Sequence, residues 1–173
     1  MLVVEDDLNF IFPSMRVVKY KKRNIFNSKE IICCFNARKM KLESNWKERT
    51  LEDMEKEEWG NADATDTGLV KHIMALRKVP LSKFSVEDMR RMIGQQFSLD
   101  YLVPLALGTL EENLFAEGDF YEGDLLCNVL EIKPEFWEKN RHYWSVLDGL
   151  IRDRLEEIRE RHIGVEIFYS VKD

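Results

Sequence analysis

A predominantly α-helical α+β fold is predicted for this chain: a helical domain with a small antiparallel β-sheet built from N-terminal strands and a C-terminal strand. Three observations carry that expectation. The first 40 residues are rich in Val, Ile, Phe and Tyr and are interrupted by turn residues. From Ser44 the apolar spacing changes from a period of two to one of about 3.6 residues, with capping residues at the breaks. Val165 to Val171 then alternates again. At 173 residues the chain is near the common size of one domain. Its divisions are residues 1–43 as an N-terminal β region, 44–163 as a helical core and 164–173 as a C-terminal strand.

Leu2 to Val4, Asn9 to Phe12, Arg16 to Tyr20 and Glu30 to Phe35 read as strands, with turn residues from Asn24 to Ser28. Residues 1–14 fit either an edge strand or a loosely attached leader. Thr50 with Asp53 resembles a capping box for a short acidic helix ending near Trp59 and Gly60. Residues 61–67 are a loop, and Thr67 caps a helix that shares Leu69, Ile73 and Leu76 on one face and stops at Pro80. Ser85 caps another with Val86, Met89 and Ile93 inward and Phe97 a candidate. Leu99, Leu102, Val103, Ala106, Leu107 and Leu110 form the longest apolar stripe, expected to bend or break at Pro104 and to be the central helix. Glu111 to Asp124 is a loop with Gly118 and Gly123. A helix follows to Leu130, and Pro134 opens a short one carrying Phe136 and Trp137. The last helix begins at Arg141 or His142, puts Trp144, Leu147, Ile151, Leu155 and Ile158 on one stripe, pairs Glu157 with Arg161 on its wet side and ends at Gly164. The terminal strand would pair with the N-terminal sheet.

The composition excludes several classes. Hydrophobic residues make up 45 %, enough for a core, and four Pro and eight Gly rule out collagenous or linker-like chains. No apolar run approaches the roughly 18 residues needed to span a bilayer, and Glu5, Asp6 and Asp7 stand where a signal peptide would carry lysines, so a cytoplasmic location is expected. Three cysteines, two of them adjacent at 33 and 34 and the third at 127, suit neither a disulfide framework nor a zinc site and read as reduced core thiols. The net charge of -6 conceals a segregation. Residues 16–41 hold nine basic side chains against Glu30, and residues 100–135 hold nine acidic ones against Lys133. Such blocks suggest mutual docking or a face prepared for a charged partner.

Enzyme signatures are mostly absent: no phosphate-binding glycine loop, no G-x-S-x-G and no H-E-x-x-H. His72, His142 and His162 fall on different predicted helices or their ends, and their spacing favours no metal or acid–base pair. The run Glu117-Gly-Asp119-Phe-Tyr-Glu122-Gly-Asp124 is rich in carboxylates, but counting twelve positions from Glu117 or Asp119 reaches Asn128 or Leu130, where a calcium loop requires Glu. Two compatible readings of this loop stand. In one, Asp124 caps the next helix while Phe120 and Tyr121 plug the core; in the other, the loop binds a partner. The basic segment 16–41, with Tyr20 and Phe26, could grip a nucleic-acid backbone, although lysines on short strands also protect sheet edges.

Residues 46–160 resemble the immunity proteins of bacterial contact-dependent growth inhibition systems, the CdiI type. The likeness runs through WKERTLEDMEKEEWG (46–60), LRKVP (76–80), FSVEDMRRMIGQQFSLDYLVPLALGTLEENLFAEGDFYEGDLL (84–126) and Phe136-Trp137. The combination of IGQQ, YLVPLAL and AEGDFYEGDLL is its most specific part. The resemblance implies a single immunity-protein domain that is not an enzyme, uses no cofactor or metal, and acts in the bacterial cytoplasm. It would bind, in a 1:1 complex, the toxin domain at the carboxyl end of the cognate surface protein, CdiA, with no membrane or direct nucleic-acid partner. Such toxins are frequently nucleases with basic clefts, and an RNase is the first expectation. A carboxylate patch with aromatic anchors would suit that cleft, so Glu111, Glu112, Glu117, Asp119, Tyr121 and Glu122 are the expected toxin-binding residues. The alternatives are a nucleic-acid-binding module using 16–41 and, more weakly, a small enzyme using a histidine.

Overall fold

Thr50 opens the first helix by reciprocal capping: its hydroxyl accepts the Asp53 N–H at 3.1 Å, and the Asp53 carboxylate accepts the Thr50 N–H at 3.4 Å. Ser85 and Asp88 repeat the device at 3.1 and 3.0 Å. In the computed structural model, which describes residues 44–171, these two helices are α1 (Leu51–Glu55) and α3 (Val86–Gly94). Between them lies α2 (Gly68–Leu76), capped by the Thr67 hydroxyl, which accepts the Val70 N–H at 3.3 Å. Each such cap is worth about 1 kcal/mol.

The chain continues as α4 (Leu99–Glu112), α5 (Asp124–Leu130), α6 (Pro134–Lys139), α7 (Arg141–Asp153), α8 (Leu155–Glu160) and α9 (Glu166–Tyr169). Leu102, Val103, Ala106 and Leu107 of α4 are completely buried, and α3, α5 and α7 pack around that helix. Pro104 does not break it. Its ring sits at the sixth helical position, so only a first-turn carbonyl loses its partner. Helices α3 and α5 approach closely at Gly94, where a Cβ would lie 2.5 Å from the Asn128 amide oxygen.

The predicted antiparallel sheet is not seen: the described residues contain helices and one isolated bridge, Thr50 with Pro80, but no strand. The N-terminal strands expected between residues 1 and 43 lie outside the described residues. The C-terminal strand is replaced by α9. Val165, Phe168 and Tyr169 recur at helical spacing, and a window of seven residues carries that pattern and an alternating one equally well. Packing decided between them. Phe168 is fully buried, stacked on Trp144 at 5.4 Å and edge-on to Trp137 at 5.2 Å, and the Trp144 indole N–H donates to the Phe168 carbonyl at 3.3 Å.

Two helix ends also differ from expectation. The first helix stops at Glu55 rather than near Trp59, because Lys56 turns left-handed and Arg77 captures the segment from Glu55 to Trp59. The Arg77 guanidinium, 1 % exposed, donates to the Glu55 carboxylate at 2.6 Å and the Glu57 carbonyl at 3.1 Å, and lies 4.0 Å from the Trp59 ring. The long last helix divides at Arg154 into α7 and α8, and its end is made by His162 in the left-handed region, with the Ile163 N–H returning to the Ile158 carbonyl at 3.1 Å. Glu157 pairs with Arg154, while Arg161 reaches Glu122 at 3.5 Å.

Candidate functional site

The acidic loop between α4 and α5, residues 113–123, is held by two carboxylates that do not face water. Asp124, the first residue of α5, is 1 % exposed and turns back to accept the Gly118 N–H at 2.7 Å and the Phe120 N–H at 3.2 Å. Glu87, in the first turn of α3, accepts the Asp119 N–H at 3.1 Å. Asp124 therefore organises the preceding loop and leaves α5 without a side-chain cap.

Two neighbouring buried carboxylates need cations, and α3 supplies them from the same face. Arg90 grips Glu87 with two nitrogens at 2.6 and 2.7 Å and lies 3.7 Å from Asp124. Arg91 donates to Glu87 and, at 3.2 Å, to the Asp119 carboxylate. The Arg90 hydrogen bonds outweigh the cost of burial, and with Arg91 and the Asp119 N–H they hold the Glu87 carboxyl down at about 2. Gly118 is required here. A Cβ at that position would stand 2.6 Å from the Glu87 carboxylate and 2.9 Å from that of Asp124. On the other side Arg154 and Arg161, which flank α8, brace the loop: Arg161 lies over the Phe115 ring at 4.0 Å, and Arg154 approaches it at 5.3 Å.

This frame turns the tip outward. Phe120 is 67 % and Tyr121 55 % exposed, so neither plugs the core. Phe120 rests on the Arg90 guanidinium, 4.5 Å from the ring centroid. Tyr121 lies against Cys127 of α5, whose thiol is the main influence pushing the Tyr121 hydroxyl above its ordinary pKa; burial in turn pushes up the Cys127 thiol.

Of the six residues singled out in the sequence, Glu117, Asp119, Tyr121 and Glu122 stand on this loop and are exposed. Asp119 is tied to Arg91 and Glu122 to Arg161. Glu111 and Glu112 form the end of α4, the first half-buried and the second exposed. Sequence reasoning missed Glu87, Arg90 and Arg91, and it missed the outward Phe120. The spacing of Glu87 to Arg90 and Arg91, three and four residues, marks a helical ion pair and was available as a signal.

The histidines occupy different settings. His72 lies 3.0 Å from Asp88, His142 packs on the Tyr143 ring, and His162 closes α8. Among the described residues no group of three or more His, Cys, Asp or Glu is placed to hold a metal ion, and no helix is long and apolar enough to cross a membrane. The basic segment 16–41 lies outside the described residues. The loop offers recognition chemistry: carboxylates and two aromatic rings presented on a braced backbone.

No curated protein and no solved structure matches the chain. A family model described as CDI immunity proteins matches residues 53–147, a span that runs from α1 through the braced loop into α7 and covers more than half of the chain. By that match, the chain belongs to the family of immunity proteins of contact-dependent growth inhibition systems.

Proposed function

We propose that this immunity protein neutralises a nuclease toxin domain, an RNase in the first instance, by setting the acidic loop 113–123 against the toxin's basic substrate cleft. One observation carries the reading: Glu117, Asp119 and Glu122 stand exposed around two outward aromatic rings, on a loop whose backbone is tied to buried Asp124 and Glu87. A carboxylate array of this kind is complementary to a cleft built to hold phosphates, and it speeds encounter by electrostatic attraction. Inhibition is stoichiometric, in a 1:1 complex, with Glu111 and Glu112 extending the contact along the end of α4. The meeting place is the bacterial cytoplasm, where an incoming nuclease reaches its substrate.

The test uses the cognate toxin domain. The double charge reversal Glu117→Lys with Asp119→Lys slows association about tenfold or more at low ionic strength, and the difference shrinks as salt rises. Association kinetics untouched by the reversal exclude the acidic loop as the binding surface. The unmodified protein gives no shift of RNA or DNA at physiological salt; appreciable affinity there favours the nucleic-acid-binding alternative.

A further inference from the structure

We infer that Phe120 is the apolar anchor of the toxin interface, inserting into a pocket on the toxin that is rimmed by its Lys and Arg side chains. This rests on the reading of loop 113–123 as the binding surface and adds which residue holds the complex together once charge has brought it into place.

Phe120 is the most exposed of the large apolar side chains among the described residues, at 67 %, ahead of Tyr121, Ile167, Leu69 and Val70. A ring left in water on an untethered loop would fold back on the nearest apolar surface, but here the backbone forbids it. The Phe120 N–H is bound to Asp124 at 3.2 Å, and the N–H groups on both preceding residues are bound to Asp124 and Glu87. The ring is also supported from beneath, with the Arg90 guanidinium 4.5 Å from its centroid and itself clamped by Glu87. The side chain is therefore displayed in a set geometry before any partner arrives, so little conformational entropy remains to be lost on binding.

The flanking charges define the occupant. Asp119 precedes the ring and reaches Arg91 at 3.2 Å, Glu122 follows and reaches Arg161 at 3.5 Å, and both carboxylates stay largely in water, as does Glu117 on the same loop, so the surface that covers Phe120 meets an apolar centre with carboxylates still open to basic groups at its edge. That is the arrangement of a hot spot within a polar rim, and a basic substrate cleft has the matching chemistry. The carboxylates then act mainly on the association rate, and the buried ring on the dissociation rate.

The experiment compares Phe120→Ala, the Glu117→Lys/Asp119→Lys double variant and, as an exposed apolar control on α2, Leu69→Ala. Each is bound to the cognate toxin domain, by surface plasmon resonance at two salt concentrations. Phe120→Ala is expected to accelerate dissociation about 30-fold, as truncation of a hot-spot aromatic does, with an association rate within about threefold of the parent. Its melting temperature stays within a few degrees, because Phe120 is already 67 % exposed and truncation removes only its contact with the Arg90 guanidinium. Leu69→Ala leaves both rates unchanged. A dissociation rate unaffected in Phe120→Ala, with slowed association in the double reversal, overturns the anchor and leaves the acidic-loop reading standing. Normal association in the double reversal overturns that reading, and normal kinetics in both variants overturns the two together.

Discussion

Replacing Glu87 by Gln tests whether the loop is held by the ion cluster on α3. The carboxylate receives Arg90 at 2.6 and 2.7 Å, Arg91, and the Asp119 N–H at 3.1 Å, and these hold it at about 2 against an ordinary 4.5. A difference of that size corresponds to roughly 3 kcal/mol between the charged and neutral forms. Arg91 is one-third exposed, so solvent weakens its share, and a loss of about 2–3 kcal/mol is expected for Glu87→Gln at neutral pH. In a chain of this length that lowers the melting temperature by about 5–10 °C. The pH dependence has a definite sign. Because the folded-state pKa lies below the unfolded one, the carboxylate's contribution is fully present above about 4.5 and is lost as pH falls towards about 2. Urea unfolding of parent and variant at pH 7, 5, 4 and 3 should show a gap that is constant between pH 7 and 5 and narrows below. A gap under about 0.5 kcal/mol at pH 7, or one that does not narrow in acid, refutes the assignment of the cluster's stability to an ionised Glu87.

Gly118→Ala pushes a methyl group into the two buried carboxylates, at 2.6 and 2.9 Å, and should cost about 1–3 kcal/mol in urea unfolding while weakening toxin binding; full stability would show that the loop packs less closely than these distances require. Phe168→Ala empties the site between Trp137 and Trp144 and should destabilise by about 3–5 kcal/mol, with a red shift of tryptophan emission in the folded state; a loss under about 1 kcal/mol would mean α9 does not complete the core.

The parts of the fold legible in the sequence were those decided within a few residues. Thr50 with Asp53, Thr67 with Val70, and Ser85 with Asp88 are caps between residues three positions apart, so the starts of α1, α2 and α3 could be read directly. The stripe from Leu102 to Leu110 identified the central helix because burial on one face imposes a helical repeat. The family likeness was legible for the same reason, through an ordered combination of local motifs. Glu55 as the end of α1 was not legible, since its cause is Arg77, 22 residues away. Nor was α9, whose seven-residue pattern fits two periods and is settled by Trp137 and Trp144.

The candidate site divides in the same way. Its carboxylates, its glycines and its position between two helices follow from the order of residues alone, as does the local charge that would draw a basic partner. Which way Phe120 and Tyr121 face does not. A phenylalanine in a loop is ordinarily drawn to the core by the free energy of leaving water. Here hydrogen bonds from the loop N–H groups to Asp124, and to Glu87 32 residues away from Asp119, fix the backbone so that the ring points out. The sequence by itself determined where α1, α2 and α3 begin, which face of the central helix is buried and where negative charge gathers, because those depend on neighbours in the chain. Only the tertiary structure decided what the loop presents, because that depends on buried charges brought together from distant elements.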